Sequence, residues 1–420
     1  MEVIVLDLGT FCDHSLVSRA IDDIRQSCVK NEMNLSLHHV TDAKNSVRLL
    51  RAKKNEQLQR TTYSTPPFLL GVDGMDLADP NKSVIAWAVK HPLRAIQARD
   101  FMRSLGGIVS ALLRPETILV VAYPAMSVLY SISEALLNTQ IFVLDYAPAF
   151  PNSTVPWIFD SRIKARSFRL YRTSREYNLE SHQAYLENLE RLSSDAPTVI
   201  SSAVRLSCFG IDRMIEPAPG TRVVQCRPLQ QLELRGVEKG FDALLGSRKL
   251  IYVSFGSYAK EPKLAKAAEK LLDVLLQWSA LHDGIVACTH QTLYKNSRLL
   301  SLDSTSYVPY SYVAKRASLV VFTGSLCLQN ACRVHDTPML FVPFLTEQYF
   351  WAKNYFDSHG HNYVDKSYFP TLEDIDVLAR SKPRRRLKRP LLPTVGDTIV
   401  FLGSSQCSKV PQTTNFSSGP

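Results

Sequence analysis

Short apolar runs rich in β-branched residues alternate along this chain with longer stretches of helical periodicity. The continuous apolar runs predict strands at residues 3–6, 117–121, 141–144, 250–255, 284–288, 319–322 and 339–342. Apolar residues recurring every three or four positions predict helices at 15–29, 126–137, 263–282, 326–334 and 347–359. This alternation is typical of parallel sheets that are covered by helices.

Two halves of similar size are separated by a Pro- and Gly-containing stretch at 216–220 and an irregular stretch at 234–246. The pattern therefore predicts an α/β fold with two Rossmann-like domains facing a cleft. We expect one domain at 1–230, a second at 245–380, and a flexible basic tail at 381–420. Because ligands of such sheets bind outside the carboxyl ends of the strands, functional residues should follow the strands.

Charge is concentrated in one short segment. The 420 residues carry a formal net charge of +10, and seven of the basic residues lie between Arg380 and Arg389, without an acid among them. The remainder of the chain carries only +3. The segment favours a peripheral contact with an anionic membrane. A nucleic-acid partner is not expected, because no base-stacking or recognition motif accompanies the run.

Several other function classes are disfavoured by composition. No apolar run approaches the roughly 18 residues that a membrane-spanning helix needs, and the first residues lack the features of a signal peptide. The eight cysteines form no C-x-x-C pair, which predicts reduced thiols and a cytoplasmic protein. No H-E-x-x-H motif is present, so the sequence shows no visible cage for a catalytic metal.

Small polar residues follow the strand at 319–322. Thr323, Gly324 and Ser325 stand between this strand and the next helix. Free N–H groups and the dipole at a helix N-terminus favour an anion such as a diphosphate there. The alternative is an ordinary turn in which Ser325 caps the helix.

Other strand ends of the second half also carry candidate residues. Ser257 follows a Gly at the end of the strand at 250–255, and its hydroxyl could donate to a phosphate. Tyr307 precedes a Val-Pro pair, and its ring could stack on a base or pack in the core. Glu347 and Gln348 begin a helix, where they could bind sugar hydroxyls or serve as capping residues.

In the first half, Asp13 and His14 follow the first strand, where an α/β protein places reactive groups. A carboxylate or an imidazole at this place can act as a general base, although helix capping is the alternative. Tyr123, Phe150 and Trp157 follow later strands in apolar, Pro-containing segments. They could line an acceptor pocket or pack as an ordinary loop.

The order of these elements resembles the donor-binding signature of the GT-B-fold UDP-glycosyltransferases, most closely the branch of sterol 3-glucosyltransferases and antibiotic glycosyltransferases. The matching segments are Phe255-Gly256-Ser257, Val308-Pro309-Tyr310, residues 322–328, Thr337-Pro338, Val342-Pro343-Phe344 and residues 347–351. The resemblance covers about 250–365, and more weakly 1–30 and 115–157.

The resemblance implies an inverting transferase that moves a hexose, expected to be glucose, from UDP to a hydroxyl of an apolar acceptor such as a sterol. It implies that Asp13 is the base, with His14 as the fallback. Ser257, Tyr307, Thr323, Gly324, Ser325, Glu347 and Gln348 would bind the donor, and Tyr123, Phe150 and Trp157 the acceptor. The resemblance also implies that the UDP-sugar is a co-substrate and that no cofactor and no metal take part.

Some positions depart from the family pattern. Thr323 stands where the family has a phosphate-binding His, and Ser325 and Cys327 stand where it has glycines. Ala122 stands where many members carry an acid that orients a catalytic His. The departures leave a second hypothesis open, in which the chain is a catalytically silent binding protein with the same fold.

Overall fold

The structure of the chain is a computed structural model. The structure describes residues 1–8, 11–44, 46, 58–64, 92–122, 125–136, 138–145, 203–208, 222–230, 242–243, 245–256, 262–288, 299–302, 310–343, 352, 364, 369–381 and 392–404.

The first sheet is parallel throughout and has strand order β3-β2-β1-β4-β5-β6-β7. Its strands are β1 Glu2–Leu6, β2 Ser36–Asp42, β3 Gln59–Tyr63, β4 Ile118–Ala122, β5 Gln140–Asp145, β6 Val204–Ser207 and β7 Arg222–Gln225. The central strands β1, β4 and β5 are almost wholly apolar and buried, as expected for strands covered on both faces.

The second sheet is also parallel and has strand order β10-β9-β8-β11-β12. Its strands are β8 Lys249–Ser254, β9 Gly284–Cys288, β10 Leu299–Ser301, β11 Ala317–Phe322 and β12 Met339–Phe341. The two parallel sheets confirm the predicted fold class of two Rossmann-like sets of strands and helices.

Helices connect the strands and bury their apolar faces on the sheets. They are α1 Phe11–Lys30, α2 Pro92–Leu112, α3 Met126–Leu129 with a 3₁₀ turn Tyr130–Leu136, α4 Pro262–Leu281, α5 Tyr310–Arg316, α6 Leu326–His335, α7 Leu372–Arg380 and α8 Val395–Ser404. One continuous core belongs to the first sheet, and two clusters of buried residues cover the two faces of the second.

Each sheet has a point where the strand order reverses direction. In the first sheet this point lies between β1 and β4, and in the second between β8 and β11. Ligands of open parallel sheets bind in the crevice outside the carboxyl ends of such strands. We therefore expect functional residues directly after β1 and β4 in the first sheet, and directly after β8 and β11 in the second.

The expected flexible tail at 381–420 is wrong for part of its length, because Val395–Ser404 form helix α8. Val395, Ile399 and Val400 are buried in the core of the first sheet, where α8 packs against α1. The backbone N–H of Arg227, after β7, donates to the carbonyl of Pro393 over 2.8 Å. The chain thus returns from the second sheet to complete the first.

Two further observations bear on the expected class of protein. Among the described residues, no helix is both long and apolar enough to span a membrane. Six cysteines in the described part of the chain are buried and take part in no disulfide: Cys28, Cys208, Cys226, Cys288, Cys327 and Cys332.

Candidate functional site

A buried group of one carboxylate and two imidazoles lies at the carboxyl end of β1. Asp7 directly follows the strand and is 0% exposed. Its Oδ1 lies 2.8 Å from Nδ1 of His14, and its Oδ2 lies 2.8 Å from Nε2 of His39. Asp7 therefore ties the first turn of α1, which carries His14, to strand β2, which carries His39.

Two hydroxyl groups also contact this cluster of Asp7, His14 and His39. The Thr41 hydroxyl lies 3.2 Å from Nδ1 of His14, and the Tyr63 hydroxyl donates to the backbone carbonyl of Asp7. Burial acts to raise the pKa of Asp7, but the charges and hydrogen bonds of His14 and His39 outweigh it and hold that pKa well below its usual range. The lowered pKa favours the ionised carboxylate at neutral pH.

The predicted base Asp13 lies in the first turn of α1, together with His14. The helix begins at Phe11, four residues before the predicted start, so Asp13 and His14 are helical rather than part of a loop. The dipole at a helix N-terminus favours a carboxylate in this turn. His14 is 0% exposed and faces the sheet. The structure thus brings the two candidates to the same strand end, and His14 is buried there.

The predicted anion-binding turn lies after β11, beside the switch point of the second sheet. Thr323, Gly324 and Ser325 connect the strand to α6. Gly324 has a φ of 114°, a conformation that favours glycine and disfavours any residue with a Cβ. Ser325 stands at the N-cap position of α6, and its side chain makes no capping hydrogen bond to the helix. Thr323 is 3% exposed.

Helix α6 lies between the two halves of the molecule. Leu326 and Cys327, in its first turn, pack into the core of the first sheet. Leu328 and Ala331 pack on the second sheet. The Asn330 side chain donates from Nδ2 to the carbonyl of Leu229, which follows β7, over 3.0 Å. The N-terminus of α6 therefore faces the first sheet.

One turn further along α6, Gln329 is 0% exposed. Neither its Nε2 nor its Oε1 has a hydrogen-bond partner among the residues that the structure describes. Buried amides almost always have partners, because an unsatisfied one destabilises the fold. Gln329 is therefore an exception that needs an explanation.

The other predicted site residues lie outside the described part of the chain. They are Ser257, Tyr307, Glu347 and Gln348 on the donor side, and Tyr123, Phe150 and Trp157 on the acceptor side. Gly256, which precedes Ser257 and lies two residues after the end of β8, has a φ of 57°, a conformation that favours glycine.

Sequence reasoning missed Asp7, His39 and Gln329. Asp7 stands next to the predicted strand, so its position at a strand end was a usable signal. His39 carried none, because nothing in the sequence shows that β2 pairs beside β1. No group of three or more His, Cys, Asp or Glu among the described residues is arranged to hold a metal ion, and this includes Asp7, His14 and His39.

Solved structures of glycosyltransferases share this fold. The spinosyn rhamnosyltransferase SpnG is 12% identical, with a TM-score of 0.63, and the match covers 96% of this chain and 100% of that one. UGT2 of Phytolacca americana, solved with UDP-2fluoro-glucose and pterostilbene, is 11% identical, with a TM-score of 0.57 and coverage of 97% and 100%.

VinC, solved with DTDP, is 12% identical, with a TM-score of 0.56 and coverage of 96% and 98%. No protein-family model matches the sequence, and no curated protein matches it significantly. At these identities the likeness establishes the GT-B type of fold and leaves the chemistry to be argued from the residues.

Proposed function

We propose that the protein is a glycosyltransferase that moves a sugar from a nucleoside diphosphate to a hydroxyl of a small-molecule acceptor. The observation that carries this proposal is the turn at Thr323, Gly324 and Ser325. It lies at the switch point of the second sheet, and the N-terminus of α6 behind it faces the first sheet. A diphosphate held there would present its sugar to the strand ends of the first sheet.

On the donor side, the turn offers uncharged contacts. The hydroxyl of Thr323 and the backbone amides at 324–326 would hold the diphosphate. Ser257 would add a hydroxyl, Tyr307 would lie by the base, and Glu347 and Gln348 would bind sugar hydroxyls, as the family resemblance implies.

On the acceptor side, we assign the general base to Asp13. His14 has no exposed surface, and its Nδ1 faces Asp7, which favours Asp13 as the group that reaches an acceptor. The Asp13 carboxylate would take the proton of the acceptor hydroxyl. The oxygen would then bond to the anomeric carbon from the face opposite the diphosphate, as the bond from that carbon to the phosphate oxygen breaks.

The negative charge gained by the leaving nucleotide would be stabilised by the amides and the dipole of α6. Most of the rate enhancement would come from this stabilisation and from positioning the two substrates. No step of the scheme requires a metal or a bound cofactor.

We propose UDP-glucose as the donor and an apolar, sterol-like hydroxyl compound as the acceptor, on the strength of the family resemblance. Tyr123, Phe150 and Trp157 would line the acceptor pocket. Thymidine diphosphate sugars are the alternative donors, because SpnG was also solved with thymidine diphosphate and VinC with DTDP.

The test is hydrolysis of UDP-glucose and dTDP-glucose by the purified protein, with and without hydroxylated acceptors. We expect Asp13→Ala to lower kcat by about a hundredfold to ten-thousandfold, the usual contribution of a general base, while UDP still raises Tm. Asp100→Ala is the matched control, because Asp100 is an exposed acid on α2. Equal loss in both variants would exclude a specific role for Asp13.

The second candidate is a catalytically silent protein that binds nucleotides. Thr323 cannot supply the charge of an imidazolium, and the side chain of Cys327 fills space in the core of the first sheet. Binding of UDP without any turnover would favour this candidate, and absence of both would contradict both candidates.

We further propose that the protein is cytoplasmic and contacts anionic membranes through the run that begins at Arg380 and ends at Arg389. The support is the local excess of seven positive charges in the sequence. Of these seven basic residues, only Arg380 lies in the described part of the chain. Sedimentation with anionic vesicles, and its loss with rising salt, tests this contact.

A further inference from the structure

The amide of Gln329, for which the described part of the chain offers no hydrogen-bond partner, lies one helical turn after the turn at Thr323, Gly324 and Ser325. Its backbone N–H donates to the carbonyl of Ser325 over 2.9 Å, so Gln329 stands one helical turn after Ser325. Side chains of an α-helix are tilted toward its N-terminus, which brings that of Gln329 over the turn that begins at Ser325.

The neighbouring side chains of α6 are committed to other surfaces. Leu326 and Cys327 face the core of the first sheet, and Leu328 faces that of the second. Successive residues of a helix are about 100° apart, so Gln329 occupies the remaining flank, in line with Ser325. This flank is where a group bound at the helix N-terminus comes within reach of the amide.

We propose that Gln329 is a donor-binding residue, whose amide bonds the diphosphate and the adjoining sugar of the nucleotide sugar. Nε2 donates to a phosphate oxygen, and Oε1 accepts from a sugar hydroxyl. A ligand that offers an acceptor beside a donor satisfies both halves of the amide, and a nucleotide sugar offers both. The inference rests on the proposed function and adds a residue that the family resemblance does not point to.

This assignment explains why a destabilising group is retained in α6. A buried amide without partners weakens the ligand-free fold, and the deficit disappears when a ligand satisfies it. The residue should therefore have opposite effects on stability and on binding. A purely structural glutamine would affect the two in the same direction, or would affect stability alone.

The experiment measures Tm without ligand, and the Kd of UDP and of uridine by calorimetry, for the full chain and for Gln329→Met. Met is similar in volume and has no polar amide. We expect an equal or higher Tm and a UDP affinity roughly ten- to a hundredfold weaker, the effect of losing a hydrogen bond to a charged group. Uridine, which has no phosphate, should bind as before.

Leu328→Met is the matched control, because it changes the next residue of the same helix on the face packed against the second sheet. It should leave the Kd of UDP unchanged. If Gln329→Met does not fold, Gln329→Glu replaces it, since the added carboxylate keeps the shape and repels the diphosphate. That variant should lose UDP and keep uridine.

Each outcome decides the proposal. Unchanged UDP affinity in Gln329→Met with a lowered Tm means that the amide holds a buried water, and the proposal is overturned. Equal weakening of UDP and uridine means a general distortion of the cleft and also overturns it. A wild-type protein that binds no UDP contradicts the proposed function as well, so the two failures are distinguishable.

Discussion

At the scale of single residues, Asp7 is the best-defined feature of the first sheet. It is fully buried, and both of its carboxylate oxygens face imidazole nitrogens at 2.8 Å. A buried charge of this kind is stable only while its partners are present, because it has lost the solvation of water. Asp7 therefore fixes where the first turn of α1 lies, and with it the backbone of Asp13.

Replacing Asp7 by Asn should lower the free energy of unfolding by about 3–5 kcal/mol at neutral pH, because the imidazoles lose their charged acceptor. Urea unfolding of the full chain measures this. Asp273→Asn, at an exposed position on α4, is the control and should change the free energy by less than about 0.5 kcal/mol.

The loss of stability expected for Asp7→Asn depends on pH. The pKa of Asp7 is lowered in the folded protein, so its ionised form stabilises the fold above the ordinary pKa of 3.8, and this stabilisation is lost as the pH falls below that value. The difference between wild type and Asp7→Asn should therefore shrink in acid. A difference that grows as the pH falls would contradict the assignment.

At the scale of elements, helices α1 and α8 approach more closely than side chains would allow. A Cβ on Gly396 would lie 2.0 Å from the backbone carbonyl oxygen of Asp23. The side chains hold this contact as well, since the Ser27 hydroxyl donates to Asp397 over 2.8 Å. The glycine is what lets α8 enter the core of the first sheet.

Gly396→Ala should lower the free energy of unfolding by about 1–3 kcal/mol, because main-chain atoms must move apart. Gly107→Ala is the control: this glycine lies in α2, and a Cβ there would meet nothing within 4 Å. It should raise the free energy by about 0.5–1 kcal/mol, the usual gain within a helix. Thermal or urea unfolding of the two variants measures these opposite changes in the free energy of unfolding.

The strands and helices differ in how well they could be predicted from the sequence. β9 was predicted at its observed bounds, because its apolar run has clear ends. β2 was missed, since His38, His39 and Thr41 interrupt its apolar pattern. Helix α8 was missed because it follows a long basic, Pro-containing segment.

The candidate site, too, could be predicted from the sequence only in part. The turn after β11 follows from a strand, small residues and a helix in series. The contact between Asp7 and His39 could not be predicted, because it depends on which strands pair, and paired strands lie far apart in the sequence. The burial of Gln329 could not be predicted either, because it depends on how the two halves pack around α6.

At the scale of the whole molecule, the chain crosses between the two sheets twice. It leaves the first sheet after β7 and returns through residues 392–394, and the two crossings are joined by the hydrogen bond between Arg227 and Pro393. The half that carries the donor turn is thus anchored at both of its ends. Its position relative to the first sheet depends on α8 as well as on the connection after β7.

A chain that ends at Ser381 should therefore lose cooperative unfolding of the first sheet, because it lacks the buried Val395, Ile399 and Val400. A chain that ends at Ser404 keeps α8 and should retain the Tm of the full chain. Calorimetry of both truncations measures this. Equal Tm values for the two would contradict the role assigned to α8.

The return of α8 also sets an order of events during synthesis on the ribosome. Domains generally fold as units, the N-terminal one first, while translation continues. Here the first sheet cannot complete its core until Val395–Ser404 have been made, after the whole second sheet. The half that emerges first is therefore the half that finishes last, and its unfilled face beside α1 is the surface that a chaperone would meet on the nascent chain.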